Sequence, residues 1–560
     1  MKKIILTAIN AKYVHSNPGV YSLCAYAKQC NPKADIETLS FTINQDVSKI
    51  TEEIYAAGPD LIGFSCYIWN ITVIRQIVTT LSKILPKTQI WLGGPEVSYC
   101  ADEMLSQLPV TGILSGEGEI AFAGLVREFL LGEDGDYRKV KGIVTRDFAT
   151  GEAELIPMDD LPFFYQDFPK ELFDNKILYY ETSRGCPYMC TYCLSSVEKH
   201  LRFKSLPKIY RELQFFLDRK VKQVKFVDRT FNCDPDHAIA IWKYLKEHDN
   251  GITNFHFEIA AETMREDALK LIGSMRPGLL RLEIGVQSTD PATLKAIRRQ
   301  MDLERCRRVV ETLHKNENVI LHLDLIAGLP GESYERFVRS FNDVYAMHPK
   351  ELQLGFLKVL KGTPIAAKAA EEGLVFDKEP PYEVIFTADI SYEELRKLKA
   401  VEEMLEIYYN SGQFVRTLAC LEPSFDTPYA LFESLARYYR EKGYTVMQPS
   451  RLKRYEILLS FWEEQIDPDS VEIRECLLYD LYARENLKKR PAFAGEEDPV
   501  ARDFYKGNKQ RMFDTHVEAF TGADGKKTYY LFDYRSRDPV TGNVGVRILT
   551  EQDWQQEDGS

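Results

Sequence analysis

The run Arg184-Gly-Cys186-Pro-Tyr-Met-Cys190-Thr-Tyr-Cys193 spaces three cysteines by three and then two residues, just after the strand-like stretch Ile177-Leu-Tyr-Tyr-Glu-Thr182. Three thiolates on one short loop can converge on a single soft-metal centre, and cysteine thiolates are the ligands that hold iron–sulfur clusters. A four-iron cluster held by three cysteines leaves one iron open to a further ligand. Two plainer readings fit the loop by itself. A zinc ion would need a fourth ligand such as His200, and buried thiols would need no metal at all.

The elements that must carry this loop are legible in the alternation around it. At 560 residues the chain is too long for one ordinary core, and 44% hydrophobic with 28% charged residues reads as soluble and globular. No uncharged apolar run reaches the length of about eighteen residues that a membrane helix needs. The opening Met1-Lys-Lys-Ile-Ile-Leu-Thr reads as a first strand rather than a signal peptide. Eleven cysteines, mostly scattered singly, suit a reducing, cytoplasmic setting. A net charge of −13 argues against a nucleic-acid partner.

Residues 1–140 alternate strands (Ile4–Ile9, Asp35–Phe41, Asp60–Ser65, Gln89–Gly94, Val110–Gly116) with helical stretches, which predicts a parallel sheet wound on both sides. Ligands of such folds sit outside the carboxyl ends of the strands. Those ends carry Asn10 to Gly19, Ser65 to Asn70, Gly93-Gly-Pro-Glu96 and Gly116-Glu-Gly-Glu119. A connector over residues 141–175 holds Met158-Asp-Asp-Leu-Pro162 and Phe163-Phe-Tyr165. Residues 176–370 offer six strand candidates, Ile177–Thr182, Gln223–Val227, Asn254–Ile259, Leu280–Val286, Val319–Ile326 and Glu351–Val359. Six βα units make a partial barrel whose site lies at the strand carboxyl ends, where Asp228, Glu258, Glu262, Gln287, Ser288 and Asp324 fall. Residues 381–560 read as mostly helical, opened by a capping box at Ser391-Tyr-Glu-Glu394, with a closing hairpin across Pro539-Val-Thr-Gly542. Outside the loop, Cys24, Cys30, Cys66, Cys100, Cys306, Cys420 and Cys476 read as buried apolar thiols.

The cysteine spacing, with Gly185 before the first, Pro187 after it and Tyr192 before the last, resembles the signature of the radical S-adenosylmethionine (SAM) enzymes. The Gly-Gly-Pro-Glu and Gly-Glu-Gly-Glu stretches resemble the N-terminal domain of that family's cobalamin (B12)-binding branch. The resemblance implies an α/β chain: a Rossmann-like cobalamin-binding domain, a partial (β/α)6 radical SAM barrel, and a C-terminal domain like the uncharacterised extension of one subgroup. It implies three cofactors. A [4Fe–4S] cluster would sit on Cys186, Cys190 and Cys193, SAM would bind its open iron and meet Glu258, Gln287 and Asp324, and the cobalamin tail would lie near Ser65, Gly93 and Gly94. The chain departs from the family at two places. The usual Gly-Gly-Glu that meets the SAM amine reads Asp228-Arg229-Thr230. The Asp-x-His-x-x-Gly of many cobalamin proteins reads Tyr13-Val-His15-Ser-Asn-Pro18, so His15 is expected near the lower corrin face without ligating cobalt.

The activity implied is methylation of an unactivated carbon through a 5′-deoxyadenosyl radical and methylcobalamin. It would draw on a reductant such as flavodoxin or ferredoxin and a substrate the sequence does not name. Two alternatives stay open: a radical rearrangement or cyclisation without methyl transfer, and a non-catalytic cobalamin or cluster sensor. No residue stands out as a further catalytic group.

Overall fold

A computed structural model describes residues 2–467, 471–508, 514–521 and 525–550. The N-terminal sheet comprises β1 (Lys3–Asn10), β2 (Asp35–Thr42), β3 (Leu61–Ser65), β4 (Gln89–Gly93), β5 (Gly112–Leu114) and β6 (Ile143–Val144), in the order β2-β1-β3-β4-β5-β6. Strands β1 to β5 run parallel. The central strands are apolar on both faces because helices cover both. Helix Pro18–Cys30 packs on one side, started by the Asn17 side chain accepting from Val20 N at 3.1 Å and by Pro18 in the first turn. The antiparallel edge strand β6 has two residues, too few to leave a pattern in the sequence.

The second sheet is the expected six-stranded parallel set. β7 (Leu178–Tyr180), β10 (Gln223–Phe226), β11 (Asn254–Glu258), β12 (Leu280–Gln287), β13 (Ile320–Ala327) and β14 (Glu351–Phe356) lie in the order β14-β13-β12-β11-β10-β7. Between β7 and β10 a short ribbon of β8 (Ser183–Arg184) and β9 (Arg202–Phe203) closes the base of the cysteine loop. Strict alternation on β12 buries Leu280, Leu282, Ile284 and Val286 under the outer helices. Arg281, Glu283 and Gln287 therefore face the barrel interior, as His322 and Asp324 do from β13.

The barrel core continues into the C-terminal unit without a break. Phe341 and Tyr345, on the barrel helix Tyr334–Tyr345, meet Tyr429 and Phe432 of helix Pro428–Glu441 with ring centroids 5.4 and 5.8 Å apart. Helix Tyr392–Met404 opens with the expected capping box of Ser391 and Glu394. Ahead of it lies a short antiparallel pair, β15 (Val375–Phe376) with β16 (Val384–Phe386). The unit ends in a three-stranded antiparallel sheet of β17 (Thr515–Thr521), β18 (Lys527–Arg537) and β19 (Val544–Ile548). β18 and β19 are the expected hairpin; β17 is an addition, and residues 551–560 lie outside the described part. Among the described residues, no helix is long and apolar enough to cross a membrane. Of the thiols read as buried, Cys24, Cys66 and Cys306 are so, Cys100, Cys420 and Cys476 are half-buried, and Cys30 is exposed at the end of its amphipathic helix.

Candidate functional site

The cysteine loop leaves β8 with Gly185 at φ +92°, and a β-carbon there would lie 2.6 Å from the His200 carbonyl oxygen. Only glycine lets the chain pass this close. Below it, Asp228 is fully buried and accepts hydrogen bonds from Thr182 N (3.0 Å), Thr182 Oγ1 (2.6 Å) and Ser183 Oγ (2.6 Å). Asp228 thus ties the end of β7 to the end of β10 instead of facing a ligand. Cys186, Cys190 and Cys193 all line one cleft at the strand carboxyl ends, together with Glu258, Gln287 and Asp324. The six residues assigned from sequence to cluster and SAM therefore share one cavity. Glu262 and Ser288 are used structurally: Glu262 accepts from Asp302 N at 3.1 Å, and Ser288 donates to buried Glu332 at 2.5 Å.

Three carboxylates converge in this cleft. Burial, then the neighbouring Glu283, pushes Glu258 up to about 7, and burial with Glu283 and Glu258 raises Asp324 well above the carboxylate range. Glu283 takes the opposite course: burial is outweighed by His256 and Lys225, which hold it at about 2. A site with one fixed negative charge and two acids poised to ionise accepts a cation readily. Gln287 sits at φ +72°, and its amide folds back to within 2.2 Å of where a Gly285 β-carbon would be. The Oε1 of Gln287 and the Oδ1 of Asp324 are buried without a hydrogen-bond partner. Such strain and orphaned acceptors mark a ligand site rather than a folding need.

Sequence reasoning missed Glu283 and Arg299, which line the same cleft, as does Arg229 of the Asp228-Arg229-Thr230 stretch. Arg299 is half-buried beside the loop, with Nη1 3.8 Å from Cys190 Sγ. Glu283 had a usable signal, a charged residue alternating with leucines inside a strand. Arg299 lies just past the short helix Pro291–Ala296 and carried none.

A second cleft opens at the carboxyl ends of β1, β3, β4 and β5. Ser65, Gly93 and Gly94 line it, joined by Gly19, Gly63, Gly116 and Gly118. Six glycines and Ser65, from strands, strand ends and loops, leave an open cradle that larger side chains would fill. Asn17 donates to Ser65 Oγ at 2.8 Å, fixing one wall. His15 stands apart. Its Nδ1 pairs with Tyr179 OH at 2.6 Å where the chain bridges to Ile177, and it does not line this cleft.

The two clefts are fastened by buried charge. Arg184, two residues before Cys186, reaches Glu119 at 2.7 Å, Glu181 at 2.8 Å and Glu117 at 3.3 Å. Glu119 lines the glycine cleft and also accepts from Ser22 at 2.9 Å. Burial works against its charge, but Arg184 outweighs burial and holds its pKa low. The Gly-Glu-Gly-Glu stretch is thus the clasp between the N-terminal sheet and the cysteine loop.

Family models match the chain in three blocks: "B12 binding domain" over residues 4–126, "Radical SAM superfamily" over 180–344, and "Protein of unknown function (DUF4080)" over 370–533. The chain thus joins a B12-binding block to a radical SAM block, the pairing of the cobalamin-binding radical SAM family. It is 27% identical over 312 residues to 2-(S-pantetheinyl)-carbapenam-3-carboxylate methyltransferase of Streptantibioticus cattleyicolor, covering 51% of this chain and 45% of the relative. It is 26% identical over 346 residues to the cobalamin-dependent radical SAM methyltransferase TokK of Streptomyces tokunonensis, covering 55% of this chain and 48% of the relative. The chain thus spans about half the length of these curated relatives. The fold is that of OxsB, a cobalamin-dependent SAM radical enzyme solved with aqua-cobalamin bound (TM-score 0.61, 15% identity, 87% of this chain and 81% of that one).

The cofactors of this family are a [4Fe–4S] cluster, SAM and cobalamin, and the donor sets fit them. A single zinc would draw its sulfur ligands to about 3.8 Å of one another. Among the described residues, one group of His, Cys, Asp or Glu side chains has all its ligand atoms within 4.8 Å, and it contains no cysteine. Three thiols spread around a cleft, with His200 exposed, match the wider footprint of a cluster. The orphaned acceptors of Asp324 and Gln287 match the ammonium and hydroxyls of SAM. Losing one charged hydrogen bond costs about 1.5–3 kcal/mol, roughly ten- to a hundredfold in affinity. Asp324→Ala and Gln287→Ala are expected to weaken SAM binding on that scale in equilibrium dialysis, with bound iron unchanged. Wild-type affinity in both variants would dissociate these residues from SAM.

Proposed function

We propose that the protein is a cobalamin-dependent radical SAM methyltransferase that methylates an unactivated carbon of its substrate. The observation that carries this reading is the Arg184 clasp, which holds the glycine cleft against the cysteine loop through Glu117 and Glu119. A methyl donor in one cleft and a radical source in the other must serve a single carbon, and fixed registry between the clefts supports that geometry. When bound, the cofactors supply a hydrogen-abstracting radical and a transferable methyl group. The chain's own part is to orient and exclude water. Gln287 and Asp324 would grip SAM, Glu258 would ionise as the ammonium arrives, and Arg229 presents an unpaired cation at the mouth.

The same reading assigns a low-potential reductant such as flavodoxin or ferredoxin as partner, and the reducing cytoplasm as setting. It is tested by incubating the reduced, cofactor-loaded protein with SAM bearing a labelled methyl group and fractionated metabolites. Methyl transfer yields both 5′-deoxyadenosine and S-adenosylhomocysteine, and a product heavier by one labelled methyl in place of hydrogen. Formation of 5′-deoxyadenosine with an unlabelled product would replace the proposal with a rearrangement or cyclisation, and formation of neither nucleoside with a sensor.

A further inference from the structure

At the floor of the SAM cleft the barrel interior carries a compact set of donors, of which Glu283 lines the cleft and two histidines do not. His256 on β11, Glu283 on β12 and His322 on β13 place their ligand atoms within 4.8 Å of one another. His256 Nε2 is 2.9 Å from Glu283 Oε2, and His322 Nδ1 is 3.9 Å from the same oxygen and 4.0 Å from Glu351 Oε2. The His256 side chain is only 7% exposed, yet its Nε2 has no hydrogen-bond partner: the short contact to Glu283 is not aligned as a hydrogen bond. The other nitrogen of His322, Nε2, lies 3.2 Å from Asp324 Oδ1. The contact is not aligned as a hydrogen bond, but a metal-bound imidazole hands its second nitrogen to a carboxylate placed like this one.

Charge points in the same direction. The strands direct four carboxylates inward, Glu258, Glu283, Asp324 and Glu351, against two cations, Lys225 and Arg281. Lys225 reaches Glu283 at 3.4 Å, but its side chain is 28% exposed and can swing aside. Arg281 is committed to Glu351. The carboxylates outnumber the cations in a half-buried space lined by two imidazoles.

We propose that His256, Glu283 and His322 bind a divalent transition-metal ion of the zinc or iron(II) class, separate from the cluster iron and from cobalt. Two imidazole nitrogens and a carboxylate oxygen are the donors such ions take, with Glu351 in reach as a fourth. Bound there, the ion ties three adjacent strands together and turns His322 toward Asp324, so the SAM-facing carboxylate is held from below. His256 and His322 are positioning residues in this scheme.

Zinc is the probe. Anaerobically prepared, cluster-loaded protein is incubated with zinc chloride, gel-filtered, and analysed for metals by plasma mass spectrometry. One zinc per chain, beyond cluster iron and any cobalt, is expected. H256A and H322A should each lower zinc affinity at least tenfold while cluster iron stays at the wild-type level. Wild-type protein that retains no zinc overturns the site, and that measurement requires no variant to fold. Equal zinc in wild type and in both folded variants overturns it as well, by placing the ion elsewhere. The conservative H322Q, with a wild-type melting midpoint before zinc is added, must also lose zinc-dependent stabilisation; an unchanged zinc shift in H322Q contradicts the assignment.

Discussion

Replacing Cys186, Cys190 and Cys193 together with alanine is expected to take the reconstituted protein from about four irons per chain to none, and to abolish SAM cleavage. The loop should survive the change, because its geometry rests on other groups. Asp228 holds Thr182 and Ser183, the β8–β9 ribbon closes the base, and Arg184 anchors the entry. Loss of iron with a retained fold therefore reads as loss of ligands. Iron and sulfide analysis, with chromatography for 5′-deoxyadenosine, decides the matter. A triple variant that kept its cluster would place the iron elsewhere in the molecule.

Arg184→Met is expected to be among the most destabilising single changes in the chain. The guanidinium side chain is 16% exposed and neutralises Glu119, which is 6% exposed, along with Glu117 and Glu181. Removing one member of a buried ion network strands the others and costs about 3–5 kcal/mol. The melting midpoint should fall by several degrees, and cobalamin should be lost on gel filtration, because Glu119 lines the cleft. Adding Glu119→Gln to Arg184→Met should recover part of the midpoint by removing one stranded charge. A midpoint equal to wild type in the single variant would show that the clasp contributes nothing to stability.

Much of this architecture was legible before any coordinates. The apolar run Ile4–Ile9 is the mark of a parallel strand covered on both faces, and the alternation of Leu280–Val286 is that of a strand with one face toward the barrel interior. Ser391 and Glu394 announced a helix start because the capping box is local in sequence. The same locality explains the misses. β6 and β8 are two residues long and owe their pairing to distant partners. Asp228 looked like a ligand from its place at a strand end, yet its three donors, from Thr182 and Ser183, lie some 45 residues away. His15 was placed by a motif, and its actual partner is Tyr179 of the barrel. Arg299 acts through its neighbour Cys190, and no spacing rule links the two.

The unbroken core between barrel and C-terminal unit has a consequence for synthesis. Phe341 and Tyr345 emerge from the ribosome well before Tyr429 and Phe432, which cover them. The gap is about ninety residues, roughly 4–18 s at translation rates of about 5–20 residues per second. For that interval the nascent barrel shows an aromatic face to the cell, an invitation to chaperones or to neighbouring nascent chains. Slow decoding between the two segments would lengthen the exposure, so the yield of folded protein should depend on codon choice over that interval.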